Sequence, residues 1–346
     1  MYDTFYGLKA KPFSLAPDPA LFFESKGHRS ARRYLEYRAS QGEGLIALSG
    51  ETGAGKTTLI RALALALETQ GVVVAHLVVT GSDPQELLQA VSLAFGVAQP
   101  ELEPAAGPRP IEQFLLGLRR IGKRALLIVD EAQNCSVEGI VSLYALAALQ
   151  ADAVPLLQVF LVGQPELQTR MQQAWQQCAP TAAVPTYHLG PLEAAETRRY
   201  IEHRLAAVGW RGDPAFDPEA CALLHQVSGG LPRRINALCN RLLLNGCLNA
   251  SHRFAAQDVD AAMAELAREL GAYAQELGPT PGAGAGDVGT VRSRDPLGPQ
   301  GLSRLVAQLD ALERNSARML QLARRIAPER LAQARADRIG DDPPSE

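Results

Sequence analysis

The sequence predicts an α/β domain built on a parallel sheet, followed by an all-helical domain. Three observations carry this. Between residues 41 and 190, short apolar runs such as Leu126–Val129 and Leu156–Val162 alternate with longer amphipathic stretches, the pattern of strands covered on both faces by helices. After Pro191 the strand-like runs stop, and helical periodicity takes over to about residue 270. Residues 271–300 are dominated by Gly, Pro, Ser and Ala, as in Pro279-Thr-Pro-Gly-Ala-Gly-Ala-Gly, which reads as a flexible linker.

The elements follow in order. Residues 1–40 are rich in Phe, Tyr and Pro, with Pro12-Phe13 and Pro17-Asp18-Pro19 setting turns before a helix near His28–Arg38. Strands are predicted at Leu45–Ser49, Val72–Val79, Ala125–Asp130, Leu156–Val162 and Thr186–Leu189. Helices are predicted over Lys56–Glu68, Asp83–Phe95, Pro110–Ile121 and Val137–Gln150, with another beginning at Pro165. The second domain takes helices over Glu193–Val208, Pro218–Val227, Pro232–Cys247 and Ala256–Leu270. The division is therefore an amino-terminal segment over 1–40, the α/β domain over 41–190, the helical domain over 191–270, the linker over 271–300 and an amphipathic helix over 301–340. In that last helix Leu302, Leu305, Leu309, Leu312, Ser316, Met319, Ala323 and Ile326 fall at alternating spacings of three and four, a seam suited to a partner helix or to self-association.

Composition narrows the function classes. Hydrophobic residues make up 47% and charged residues 21%, with a net charge of −3, ordinary for a globular protein with a sizeable core. No basic block marks nucleic acid as the main partner, and eight arginines against four acids over 301–340 leave only +4 there. No run approaches the length of a membrane span, and Met1–Ala10 lacks the apolar core of a secretory signal. Five scattered cysteines without metal-ligand spacing read as free thiols, which makes the cytoplasm the expected location.

The chemistry is concentrated in two runs. Gly50-Glu51-Thr52-Gly53-Ala54-Gly55-Lys56-Thr57, continued by Thr58, follows a predicted strand and opens a predicted helix, the context that makes G-x-x-x-x-G-K-[ST] a phosphate-binding loop. Its glycines let backbone N–H groups face the phosphates of ATP and the helix amino terminus adds a favourable dipole. Lys56 is expected on the β and γ phosphates and Thr57 on Mg²⁺. The second run, Ala125-Leu-Leu-Ile-Val-Asp130-Glu131, ends a buried strand in two acids, Asp130 for Mg²⁺ and Glu131 to polarise the attacking water. Gln164, after the fourth strand, is placed either to position that water or to cap the helix beginning at Pro165. Arg233, at the start of a helix, runs against the dipole and calls for an anion: the γ-phosphate, or an acid at the surface.

These runs belong to a longer ordered set. Tyr6-Gly-Leu, Pro12-Phe13, Ser25-x-x-His28, Val129-Asp-Glu-Ala-Gln133-Asn134, Leu161-Val-Gly-Gln-Pro-Glu-Leu167, Tyr187-His-Leu-Gly-Pro-Leu192, Tyr200-Ile-Glu-His-Arg204-Leu and Gly229-Gly-Leu-Pro-Arg-Arg-Ile-Asn236 accompany the phosphate loop. Over about residues 1–270 the chain resembles the AAA+ secretion-ATPase family typified by general secretion pathway protein A, nearest to its branch associated with exosortase and exopolysaccharide loci. The resemblance implies a P-loop NTPase of AAA+ type: a five-stranded sheet, a helical lid, and ATP with Mg²⁺ between them. It implies Gln164 and Arg233 in the two sensor positions, and Pro12, Phe13 and Phe22 packing over the adenine. As partners it implies envelope, secretion or polysaccharide-export proteins, with peripheral attachment to the inner membrane through them; the seam of the last helix, outside the shared motifs, makes residues 301–330 the expected docking segment, with homo-oligomerisation as its alternative use. Members carry a Leu-Arg-Gln-Arg-Ile-like stretch where this chain reads Cys178-Ala-Pro180-Thr-Ala182-Ala-Val184. That departure implies slow hydrolysis or an arginine from elsewhere, such as Arg170. The motif set is shared in part with transposition ATPases, so a DNA-linked ATPase and a nucleotide-binding scaffold are the alternative functions.

Overall fold

The chain enters the sheet through its phosphate-loop strand, not through its amino terminus. In the computed structural model, which describes residues 2–15, 21–42, 44–81, 83–97, 109–178 and 184–276, two helices come first, α1 (Tyr2–Phe5) and α2 (Lys26–Gln41). Then β1 (Leu45–Ser49), α3 (Lys56–Thr69), β2 (Val72–Val78), α4 (Pro84–Ala94), α5 (Arg109–Arg120) and β3 (Arg124–Asp130) alternate. A 3₁₀ turn over Ala132–Asn134 leads to α6 (Val137–Ala147). The short β4 (Gln150–Ala151) and β5 (Val154–Pro155) precede β6 (Leu157–Gly163), α7 (Glu166–Cys178) and β7 (Thr186–His188). The helical part holds α8 (Ala194–Ala206), β8 (Ala215–Phe216), α9 (Pro218–Ser228), α10 (Pro232–Leu248), β9 (Arg253–Phe254) and α11 (Ala256–Glu276).

The five main strands form one parallel sheet in the order β2-β3-β6-β1-β7. Alternation along each strand divides its side chains between two cores. Ala47, Leu127, Val129, Val159 and Leu161 face Leu87, Val91, Ile111, Leu115, Ile140, Leu143 and Met171 on one side. Ile46, Leu48, Leu126, Ile128, Phe160 and Val162 face Ala31, Leu35, Leu59, Ile60 and Leu63 on the other. Burying a leucine or isoleucine this completely is worth about 1.5–3 kcal/mol, so two such layers account for continuous apolar strands. All three chemically loaded turns leave carboxyl ends of neighbouring strands: the phosphate loop from β1, the acids from β3, and Gln164 from β6. A parallel sheet is what brings those ends together.

Three details depart from the sequence reading. The helix predicted to run to Gln150 stops at Ala147, and the chain turns through the β4–β5 hairpin with Asp152 and Ala153 at φ 51° and 60°. Left-handed residues at both central positions suit the strand twist of a two-residue hairpin, but no glycine marks them. In the helical part β8 and β9 pair in parallel over two residues each, a piece of strand absent from the prediction. Finally, α11 runs to Glu276, into the stretch read as linker. The rest of that stretch and the helix predicted over 301–340 lie outside the described residues.

Two compact units divide the chain, Met1–Asp260 and Ala261–Glu346; the first contains the candidate site described below. All five cysteines are free, and burial pushes the thiols of Cys135 and Cys221 up to about 11. Among the described residues no helix is long and apolar enough to cross a membrane.

Candidate nucleotide site

The loop between β1 and α3 is held open by backbone that only glycine adopts without strain. Gly53 and Gly55 lie at φ 83° and 98°, and Gly55 caps α3 with no side-chain bond to its first N–H groups. A helix amino terminus left in this state is an anion seat. Lys56, 8% exposed, turns its Nζ onto the carbonyls of Gly50 at 2.7 Å and Glu51 at 2.9 Å. Burial holds its pKa below the ordinary lysine range, while Glu131 and Asp130 pull in the opposite direction.

The acids lie beside this loop. Thr57 Oγ1 donates to Asp130 Oδ2 at 2.8 Å, joining the two residues expected on Mg²⁺. The Glu131 N–H donates to Asp130 Oδ1 at 2.9 Å. Glu131 itself lies in the left-handed region at φ 55° and ψ 35°, a conformation that costs a non-glycine residue about 1 kcal/mol and clusters at functional sites. Gln133 Nε2 donates to Glu131 Oε2 at 2.6 Å, and the Gln164 N–H donates to Gln133 Oε1 at 3.1 Å. His76 on β2 approaches Asp130 Oδ2 at 3.9 Å, and burial lowers its pKa.

A cleft of about 170 Å³ collects these groups. From the expected site residues it is lined by Thr52, Gly53, Gly55, Lys56, Thr57, Thr58, Glu131, Gln164 and Arg233. Gly50, Glu51, Ala54 and Asp130 stand behind that lining: the carbonyls of Gly50 and Glu51 hold Lys56, the Ala54 carbonyl meets His28, and Asp130 meets Thr57. Arg233 arrives from α10, its N–H donating to the Gly53 carbonyl at 3.3 Å. Arg170 is turned to the Cys135 carbonyl at 3.0 Å.

The opposite wall comes from the amino-terminal segment and the helical part. Ser14, Leu15, Leu21, Phe22 and Phe23 line it together with Leu192, Tyr200, Arg204, Pro232 and Asn236. Of the three residues expected over the adenine, Phe22 reaches the cleft. Phe13 is buried at 1% exposure, and the Pro12 carbonyl is spent on Arg204. The guanidinium of Arg204, 5% exposed, donates to the carbonyls of Pro12 at 2.7 Å and Ser14 at 3.0 Å. Tyr200 donates to Asn236 Oδ1 at 2.7 Å, and burial pushes the phenol up to about 12. His28 closes the corner. Its Nε2 lies 3.1 Å from the Ala54 carbonyl and its Nδ1 2.7 Å from Ser25 Oγ. A carbonyl can only accept, so Nε2 carries the proton and Nδ1 accepts from the serine hydroxyl. Burial holds this ring neutral below the ordinary histidine range.

Gln133, Tyr200, Arg204 and Asn236 lie inside the sequence motifs but take no role from them. The signal that could have marked them is chemical: Tyr200 and Arg204 are polar residues four apart on the inward face of α8, where an apolar pair is the default.

A parallel sheet of this order, a phosphate loop after β1, acids at the end of β3 across the intervening β6 and a helical part over the cleft define a AAA+ P-loop NTPase. Residues 38–171 match the AAA domain family, and the chain belongs to the AAA+ ATPases. Within them it is related to general secretion pathway protein A of Aeromonas hydrophila, 35% identical over 270 residues that take in 77% of this chain. The chain spans about half, 48%, of that relative's length. Among solved structures, the ADP form of the Aeropyrum pernix ORC2 protein superposes with a TM-score of 0.55 at 18% identity, over 78% of each chain. Cdc6p from Pyrobaculum aerophilum gives 0.56 at 14% identity, over 76% of this chain and 70% of that one. At such identities the likeness concerns the fold alone.

Proposed function

We propose that the chain binds ATP with Mg²⁺ in this cleft and hydrolyses it, to work as a motor or switch for an envelope secretion or exopolysaccharide export system. One observation carries the reading: Lys56, Thr57, Glu131, Gln164 and Arg233 line one cleft, and Asp130 is hydrogen-bonded to Thr57 at its edge. Lys56 leaves the loop carbonyls for the β and γ phosphates, a short swing for an ammonium already inside the loop. Thr57 and Asp130 would hold Mg²⁺, Asp130 through water, and the ion would supply charge neutralisation on the phosphates. Glu131 orients and polarises the attacking water, Gln164 assists from the β6 end, and Arg233 contacts the γ-phosphate from α10. Slow basal turnover follows from the missing arginines before β7.

The relationship to general secretion pathway protein A supports partners in a secretion assembly at the cytoplasmic face of the inner membrane; the apolar seam of the last helix supports engaging them through residues 301–330, or homo-oligomer formation. The test is ATPase activity of the wild type, Lys56→Ala and Glu131→Gln across protein concentrations, with and without Mg²⁺ and DNA. Mg²⁺-dependent turnover that rises with concentration and ignores DNA is expected. Lys56→Ala loses ATP binding, and Glu131→Gln keeps binding while losing about 10²–10⁴-fold in rate, the range of general base catalysis. A wild type that binds no ATP, or Glu131→Gln at the wild-type rate, sinks the proposal; strong stimulation by DNA replaces the secretion reading with a DNA-linked one.

A further inference from the structure

We propose that Gln133 is a positioning residue for hydrolysis: its side-chain amide aims the Glu131 carboxylate by tying it to the end of β6. The inference rests on the role of Glu131 proposed above.

The Glu131 main chain is pinned by its left-handed turn and by the bond from its N–H to Asp130 Oδ1. Neither restraint reaches the carboxylate, which lies at the end of a side chain with three rotatable bonds. Gln133 supplies what is missing. Its Nε2 donates to Glu131 Oε2 at 2.6 Å while its Oε1 accepts the Gln164 N–H at 3.1 Å. The amide orientation follows from these partners, because a flipped amide would set donor against the Gln164 N–H and acceptor against the carboxylate. A primary amide offers both a donor and an acceptor in one plane. The 3₁₀ turn over Ala132–Asn134 folds Gln133 back across the β3 and β6 ends. There it packs on Gly163, where an added Cβ would stand 2.7 Å from Gln133 Oε1. The bare glycine thus makes room for the amide, and the amide links Glu131 to the Gln164 loop on the same wall of the cleft.

Released from this bond, the carboxylate spreads over several rotamers. A displacement of about 1 Å at a reacting group can cost about 10²-fold in rate. ATP affinity stays, because Lys56, Thr57 and the loop backbone hold the nucleotide and Gln133 is outside the cleft lining.

The experiment compares single-turnover hydrolysis, ATP affinity and Tm on the full chain for the wild type, Gln133→Ala, Gln133→Glu, Glu131→Gln and the Glu131→Gln/Gln133→Ala double variant. Gln133→Glu is the informative one. It keeps an acceptor for the Gln164 N–H but offers Glu131 no donor at neutral pH. Both single Gln133 variants are expected to lose about 10–100-fold in rate with Kd for ATP and Tm unchanged. The double variant is expected to be no slower than Glu131→Gln, since residues acting as a unit are non-additive. Gln133→Glu at the wild-type rate overturns the proposal. So does a rate loss matched by an equal loss of ATP affinity or by a fall in Tm, or a double variant slower than Glu131→Gln by the full single-variant factor. Glu131→Gln at the wild-type rate, or a wild type without turnover, instead removes the role of Glu131 and this proposal with it.

Discussion

The two walls of the cleft differ in how far apart in the chain their parts lie. The α/β wall is written mainly in two short runs, Gly50–Thr58 and Asp130–Gln133, whose atoms meet because β1 and β3 both flank β6. The other wall has no such run. Ser14 and Arg204 stand 190 residues apart and Ser14 and Asn236 222 apart, yet each pair is hydrogen-bonded there. Rigid neighbouring strand ends suit the groups proposed to act on phosphate and water, where a small displacement is costly. The wall stitched from distant pieces suits a surface that must close over a ligand, since its bonds can be made and broken without disturbing the sheet.

That comparison can be broken most sharply at Arg204. Replacing it with alanine strands the Pro12 carbonyl, leaves the Ser14 carbonyl only its longer bond from Asn236, and removes a buried guanidinium. A loss of about 2–3 kcal/mol in urea unfolding is expected, the scale of hydrogen bonds to a charged group. ATP affinity falls with it, while single-turnover rate at saturating ATP stays near wild type. Arg204→Ala with unchanged stability and affinity would make the distant wall ornamental. A collapse in saturating rate would instead place Arg204 among the groups acting on phosphate.

Gly53→Ala probes the seam where the walls touch. The residue is left-handed at φ 83°, and an added Cβ would lie 2.6 Å from the Arg233 Cβ. A cost of about 1–2 kcal/mol is expected from the backbone alone, with ATP binding weakened as α10 is pushed off the loop. Calorimetric titration with ATP reads the second part. An alanine variant that binds as tightly as wild type would show that α10 docking and nucleotide seating are independent.

The smallest expected effect comes from His28. Burial keeps its folded-state pKa below the ordinary value of 6.5, so the unfolded chain takes up the proton first as pH falls. Its contribution to stability is whole above about pH 6.5 and is lost as pH falls towards the folded-state value. Between pH 7.5 and 5.5 the wild type should lose more Tm than His28→Gln, by about 2 °C. Equal losses would mean that other groups carry the acid sensitivity.

Much of this was legible beforehand because it is local. Apolar runs of strand length, the glycine spacing and an Asp-Glu pair after a buried strand need only neighbouring residues to be recognised. The five strands accordingly fall close to where the pattern predicts them. The β4–β5 hairpin escaped because its left-handed pair is Asp152-Ala153, without a glycine to announce it. Phe13 was expected over the adenine and lies instead in the core, since hydrophobicity predicts burial but not the surface against which it occurs.

The phosphate loop itself divides the two kinds of information. Its glycines and Lys56 were determined by the sequence alone, because backbone N–H groups can converge on a phosphate only through residues without a side chain in the way. What presses on those glycines was decided by the tertiary structure. A Cβ on Gly50 would meet the Leu189 carbonyl, one on Gly53 the Arg233 side chain, and one on Gly55 the His28 ring. The residue that follows β7, helix α10 and helix α2 thus each abut a different glycine. The same residues that leave space for phosphate also leave space for the protein, and only the folded chain brings those three neighbours to them.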